Sequence, residues 1–252
     1  MTMKKTDKQL IFSKLFPDEE SCIRYYEDKR WGGNPVSPFD PSSKVYKCRN
    51  GKYKCKNTGR YFDVKTGTKF ANTKLPLRYW FYAMFLFLSH KRGVSSCQLA
   101  RDLDITQKSA WKMLQKIRET MGVENEHKLK GEVEIDETFV GGKNKNRHKD
   151  KKVEKCQGRS FKDKVPVFGM LERNGHLVAK VVPDTKVRTL LPLIKGYVKS
   201  GSVIYTDGTY YSVSKKHLQR YIDEYVFRFN TRNISDIERF NYFCLTFINY
   251  HG

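Results

Sequence analysis

Two aspartates stand where strands are expected: Asp136 within "GEVEIDETFVGG" and Asp207 at the end of "SVIYTDG". In the first stretch Val133, Ile135, Phe139 and Val140 surround the acids Glu134, Asp136 and Glu137, the pattern of a strand that carries carboxylates. The second stretch is a short apolar run with an acid at its tip. Neighbouring strands of one sheet would bring Asp136 and Asp207 together. Two carboxylates a few ångströms apart repel unless a cation lies between them. Mg²⁺ suits such a pair, being hard, oxygen-seeking and content with a few carboxylates plus phosphate oxygens. Two such ions about 3.5–4 Å apart clamp the entering and leaving oxygens of a phosphoryl transfer. Spacing equally allows Asp207 to cap the turn after its strand, with Glu134, Asp136 and Glu137 solvated.

The elements that must position this pair follow from local pattern. "VPVFGMLERNGHLVAKVVPD" predicts a hairpin, with strands at 165–172 and 176–182 and Asn174-Gly175 at the turn. "VRTLLPLIKGYVKSG" predicts a helix ended by Gly201. Strand, hairpin, helix and strand in that order make a mixed sheet with a crossover. "KNKNRHKDKKVEK" is a basic loop, and its Lys143, Lys145 and Arg147 are candidate contacts to a polyanion. Beyond Asp207, Val213 and Leu218 bracket an N-cap at Ser214, and Leu218, Tyr221, Ile222, Tyr225 and Phe229 keep helical spacing. "NTRNISDIERFNYFCLTF" continues as a second helix or an irregular tail.

Upstream, the chain to about Leu75 is aromatic, basic and rich in turns. "GGNPVSPFDPSS" (32–43) is loop, and the next stretch alternates short β-like runs with turns, Asn50-Gly51 being a hairpin signal. A small β-ribbon is expected. A structural zinc needs four Cys or His ligands in close pairs. Cys48 and Cys55 are seven apart without a second pair, so a metal-free ribbon held by its aromatics is expected.

"YWFYAMFLFL" (Tyr79 to Leu88) is far shorter than the roughly 20 residues of a membrane span, and is expected to be a buried helix. Ser95 then caps a short helix, with Gln98 expected to reach back to it. Leu99, Ala100 and Leu103 form its apolar face. Asp104 marks the turn, Thr106 caps a longer helix, and Ala110, Met113, Leu114 and Ile117 line that helix. Two helices on so tight a turn make a helix-turn-helix or an ordinary helical hairpin. In the former, Gln107, Lys108, Ser109 and Lys112 would face base edges.

Charge favours the former. The 252 residues carry 49 Lys and Arg against 27 Asp and Glu, a net +22, and the first partner this suggests is nucleic acid. With 38% hydrophobic residues the chain can build cores, so global disorder is excluded. Cysteines 22, 48, 55, 97, 156 and 244 follow no framework spacing, and "MTMKKTDKQLIF" lacks the apolar run of a signal peptide. Reduced cysteines in a cytoplasmic protein are expected.

"VEIDETFVGGKNKNRHK", "LPLRYWFYAMFLFLSHKRGVSSCQLARDLDITQKSAWKMLQKIRE", "IYTDG" and "VSKKHLQRYIDEYVFRFNTR" resemble the bacterial insertion-sequence transposases that join a zinc-ribbon-like module, a helix-turn-helix and an RNase-H-like DDE domain. The resemblance runs from about Cys22 to about Phe240. It implies an α+β, multidomain chain. The N-terminal region with a metal-free ribbon would occupy 1–75, the helix-turn-helix bundle 76–126, a truncated RNase-H-like mixed sheet 130–212 and C-terminal helices 213–252. It also implies double-stranded DNA at insertion-sequence ends as partner, and a nucleoid-associated place in the cytoplasm. Homo-oligomerisation stays open. Asp136 and Asp207 would be the first two catalytic, metal-binding acids, holding Mg²⁺ or Mn²⁺.

Two departures matter. The ribbon's usual cysteine pairs stand here as Ser37 and Asp40, Cys55 and Thr58, so one ligand of four is kept. "TDG" runs almost directly into "TYYSVSKKHLQRY". In the family a long stretch lies between, including a helix with the third catalytic acid. The resemblance therefore implies an internal deletion, weak metal binding and impaired catalysis, with an open sheet edge. Asp223, Glu224, Asp236 and Glu238 are the downstream acids that could substitute. The alternative function is a non-catalytic DNA-binding protein that competes with intact transposase at element ends.

Overall fold

The computed structural model describes residues 5–49, 51–90, 93–122, 127–141, 164–206 and 218–248. Chain order is α1 (Lys5–Leu15), α2 (Glu19–Trp31), β1 (Val45–Lys47), β2 (Tyr53–Cys55), β3 (Tyr61–Phe62), α3 (Leu77–Ser89), α4 (Ser96–Leu103), α5 (Gln107–Met121), β4 (Glu132–Val140), β5 (Val165–Glu172), β6 (Leu177–Val181), α6 (Val187–Tyr197), β7 (Val203–Thr206), α7 (Leu218–Asn230) and α8 (Asp236–Ile248). The mixture of helices with two sheets is the α+β class expected. Two compact units emerge: residues 1–117 with 234–252, and residues 118–233. The division falls inside α5, and the two C-terminal helices belong to different units.

In the first unit the turn-rich N-terminal stretch carries two helices that periodicity does not predict. Asp18 starts α2: its carboxylate accepts the Ser21 amide at 2.7 Å, while the Ser21 hydroxyl accepts the Asp18 amide. Gly32, left-handed at φ 55°, ends it. The ribbon is antiparallel in the order β1-β2-β3, and Tyr53, Cys55 and Phe62 pack with Trp31 and Val45. Asn50 of the expected hairpin lies outside the described residues; Gly51 has φ 71°.

Helix α3 is buried along nearly its whole length, as its composition requires. Pro76 at its start offers no side-chain cap. Glu19 of α2 supplies one, its carboxylate accepting the Leu77 and Arg78 amides at 2.7 and 2.8 Å. Rings of Phe12, Phe16, Phe81 and Phe240 pack against one another, and Phe70 stacks on Phe247 at 4.9 Å. Helix α8 is thus an integral part of this core.

In the second unit the sheet order is β6-β5-β4-β7. Strands β4, β5 and β6 are antiparallel neighbours, and β7 runs parallel to β4. Asn174, at φ 58°, turns the β5–β6 hairpin where expected. On one face Val133, Ile135, Phe168, Met170 and Val178 pack with Leu190 and Ile194 of α6. On the other Val140, Val167 and Ala179 pack with Leu218 and Val226 of α7. Helix α6 ends at Tyr197 rather than at Gly201, because Val198 becomes extended and its neighbourhood bridges to Leu129. Gly201 lies in the turn that follows, at φ 86°. The cap at Ser214 and its neighbour Val213 lie outside the described residues.

Candidate functional site

Ser95 caps α4, its hydroxyl accepting the Gln98 amide at 3.1 Å. The Gln98 side chain does not reach back to Ser95; it donates to Asp102 at 2.6 Å, because an i,i+4 carboxylate on the same face is nearer. Asp104 adopts the left-handed conformation, φ 50° and ψ 50°, that the turn demands. Thr106 caps α5, accepting the Ser109 amide at 3.2 Å. Leu99, Ala100, Leu103, Ala110, Met113, Leu114 and Ile117 are buried. Gln107, Lys108 and Lys112 are exposed and Ser109 is half-buried. Gln107 already donates to Ser96 at 2.8 Å, which ties the start of α5 to the start of α4. Trp111, which helical spacing does not single out, is also exposed beside Lys108 and Lys112. Lys143, Lys145 and Arg147 lie outside the described residues.

On β4 the strand alternation separates the three acids. Glu134 and Asp136 share the α7 face with Val140; Glu137 shares the α6 face with Ile135. Glu134 is ion-paired with Arg173, Nε to Oε1 at 2.7 Å, and Arg173 also bonds Glu132. Asp136 is half-buried and pairs across the ladder with Gly169, which pairs with Ala179. Gly169 has no side chain and Ala179 only a methyl, so the cross-strand neighbours of Asp136 on β5 and β6 are small. The parallel ladder of β4 and β7 is described as far as Ile135 opposite Thr206. Asp136 follows the first of these residues. Asp207 follows the second and lies outside the described residues.

The downstream acids have other occupations. Glu224 binds Arg118 at 2.8 Å and Arg228 at 3.1 Å, in a largely buried cluster capped by Tyr221 over the Arg118 guanidinium at 4.4 Å. Asp223 is buried and accepts from Gln219 at 2.8 Å. Asp236 pairs with Arg239 at 3.0 Å. Glu238 accepts the Ser235 amide at 2.8 Å while Ser235 accepts the Glu238 amide, a reciprocal cap on α8. Only the Arg118 partner is far away in sequence; the others keep i,i+3 or i,i+4 helical spacing, and Ser235 with Glu238 has the spacing of a capping box. Among the described residues no group of three His, Cys, Asp or Glu could hold a metal ion, so these residues do not fit a three-ligand centre.

In the ribbon, Cys55 is fully buried. Burial alone would raise its thiol, but hydrogen bonding with Ser37, Ser43 and Thr58 outweighs that and brings it down to about 6. The Ser37 oxygen accepts the Phe39 and Asp40 amides at 3.2 and 3.3 Å. Cys22, Cys48, Cys55, Cys97 and Cys244 are free thiols; Cys156 lies outside the described residues. No helix among the described residues is long and apolar enough to cross a membrane.

A mixed sheet with Asp136 on an interior strand, preceded in the chain by a capped pair of helices, is what the comparisons bear on. Residues 128–211 match the model of the ISXO2-like transposase domain. Over 211 residues the chain is 28% identical to an uncharacterized protein in the transposable element ISH50 of Halobacterium salinarum, covering 77% of this chain and 69% of that protein. Both findings support a transposase. No solved structure matches.

Proposed function

We propose that the chain binds double-stranded DNA at the ends of an insertion sequence through α4 and α5, and that its strand cleavage and transfer are impaired. The observation that carries the binding is the helix pair itself: two capped helices joined through left-handed Asp104, with Lys108 and Lys112 exposed at the start of the second. The net charge of +22 supplies the attraction to phosphate. Lys143, Lys145 and Arg147 would add contacts from the basic loop.

The sheet order, with three antiparallel strands and β7 parallel to β4, supports an RNase-H-like domain that ends one strand early. Asp136 and Asp207 follow paired residues of adjacent parallel strands, which supports a shared Mg²⁺ or Mn²⁺. That ion would stabilise the charge of a phosphoryl transfer. With two carboxylates it would be held weakly and stay mostly hydrated. The prior engagement of Glu224 and Glu238 supports impaired catalysis over a substituted third ligand. A chain that binds ends without joining them would compete there with intact transposase.

A gel shift on duplex DNA tests the binding. Affinity should fall steeply with salt, and Lys108→Ala and Lys112→Ala should each weaken it. Binding insensitive to salt and to both changes would remove α5 from the interface. Ser37, Asp40 and Thr58 at three of the four ligand positions support a ribbon without zinc. One tightly held zinc per chain, lost on Cys55→Ser, would contradict that.

A further inference from the structure

A cavity of about 480 Å³ lies between the end of α2 and the ribbon, and neither the helix pair nor the sheet acids use it. Trp31, Pro35, Val45 and Tyr53 form apolar walls, and Glu27 and Lys47 supply the charged groups. Trp31 is held edge-on by Tyr53 and Phe62, with ring centroids 5.3 and 6.1 Å away, yet it stays only half-buried. The Arg30 guanidinium also lies over its ring, 5.0 Å from the centre, so the indole is rigid and a ligand must take the part of its surface that stays open. Glu27 is fixed too, because its Oε1 accepts the Tyr53 hydroxyl at 2.9 Å. Lys47 is exposed, with Nζ 5.9 Å from the Tyr53 ring centre.

Each wall selects one part of a ligand. The indole accepts the face of a flat ring. The carboxylate accepts N–H donors, such as an exocyclic amino group. The ammonium takes an anion. The surroundings favour a phosphate polymer: residues 44–60 hold seven Lys and Arg and no Asp or Glu, with Tyr46 and Tyr61 exposed in the same ribbon. In a duplex both faces of a base are already stacked, so only a base outside the stack can lie on the indole.

We propose that this cavity binds one unpaired nucleotide of a single-stranded DNA segment. The base lies on Trp31, its amino group donates to Glu27, and its phosphate meets Lys47. The inference rests on the DNA-binding reading only in taking the polymer to be DNA. Cytosine suits Glu27, whereas thymine offers one ring N–H flanked by two carbonyl oxygens that a carboxylate repels.

The test compares binding of the full chain to labelled single strands of twelve deoxycytidines and twelve thymidines, by fluorescence anisotropy. Both carry the same charge, so the non-specific electrostatic contribution cancels in the ratio. The cytidine strand should bind about fivefold tighter or more. Glu27→Gln should bring the ratio toward one. Lys47→Ala should weaken both strands and lower the salt slope by about 0.7. Trp31→Ala should cost about fivefold or more. Because Trp31 also supports the ribbon, the Glu27 and Lys47 variants decide the matter if that variant misfolds. A strand carrying one 5-iodo-deoxycytidine should photo-cross-link to Trp31. Equal binding of the two strands by the intact chain, a ratio unchanged in Glu27→Gln, or cross-links confined to Trp111 would overturn the proposal. Duplex gel shifts of the same variants should be unchanged; parallel loss of duplex binding would also overturn it. Failure of the intact chain to shift duplex at all would sink the α4–α5 reading and leave the single-strand ratio to judge the cavity.

Discussion

At one edge of the four-stranded sheet, β6 turns its outer backbone toward α7, and two side-chain amides fill its hydrogen bonds. Gln219 accepts the Val181 amide at 2.7 Å and donates to the Ala179 carbonyl at 3.3 Å. Asn230 accepts the Leu177 amide at 2.8 Å and donates back to the Leu177 carbonyl at 3.1 Å. The other edge, β7, has no such finish among the described residues: Val203, Ile204 and Tyr205 are 53%, 43% and 42% exposed. In a parallel ladder the N–H and C=O of a residue lie on one side. Val203 donates to the Gly131 carbonyl, so it and Tyr205 bond toward β4, and Ile204 turns its backbone outward. An edge strand is normally short, charged or covered. β7 is short, but "VIY" is the composition of an interior strand. The contrast shows where the sheet is complete and where its sequence suits a further layer.

The largest effect should come from the buried cluster that ties α7 to the end of α5. Glu224→Ala leaves Arg118 and Arg228 without their shared carboxylate, at side-chain exposures of 8% and 17%. Removing one partner of a buried pair costs about 3–5 kcal/mol, so the urea midpoint should drop sharply. A loss below about 1 kcal/mol would mean that α7 is seated by its apolar face alone. Next come the edge amides. Gln219→Ala strips the partners from Val181, Ala179 and Asp223 together, and Asn230→Ala strips both bonds of Leu177; each should cost about 1–3 kcal/mol. Ile204→Lys, at the unfinished edge, should change stability by no more than about 0.5 kcal/mol and should reduce self-association in light scattering. If Ile204→Lys were as costly as Gln219→Ala, β7 would have to be covered after all.

Much of this is legible in the sequence where local rules govern. Ser95 and Thr106 announce α4 and α5, Asn174-Gly175 announces the hairpin, and the alternation around Asp136 announces β4. Helices α1 and α2 escape because their apolar residues follow no clean helical stripe. The Asp18–Ser21 cap and Gly32 are the signals that could reveal α2. The end of α6 is misplaced because the bridge from Val198 to Leu129 forms across the fold. For the same reason the bonds of Glu224 to Arg118, Gln219 to Val181 and Asn230 to Leu177 are invisible, whereas Glu224 with Arg228 and Gln219 with Asp223 keep a legible i,i+4 spacing. Strand pattern puts Glu134 and Asp136 on one face and the family resemblance singles out Asp136, while the capacity of a downstream acid to join it depends on the partners that acid already holds.

The most direct measurement of the central claim is strand joining by the purified full chain, on duplex DNA carrying the element's ends, with Mg²⁺ or Mn²⁺. A salt-sensitive gel shift on that DNA is predicted, with joined product absent or at trace level. Each 1.36 kcal/mol of transition-state stabilisation withdrawn costs about tenfold in rate. Robust joining that is abolished by Asp136→Ala and also by Glu224→Gln or Glu238→Gln would contradict this, and would place a C-terminal helix in the catalytic site.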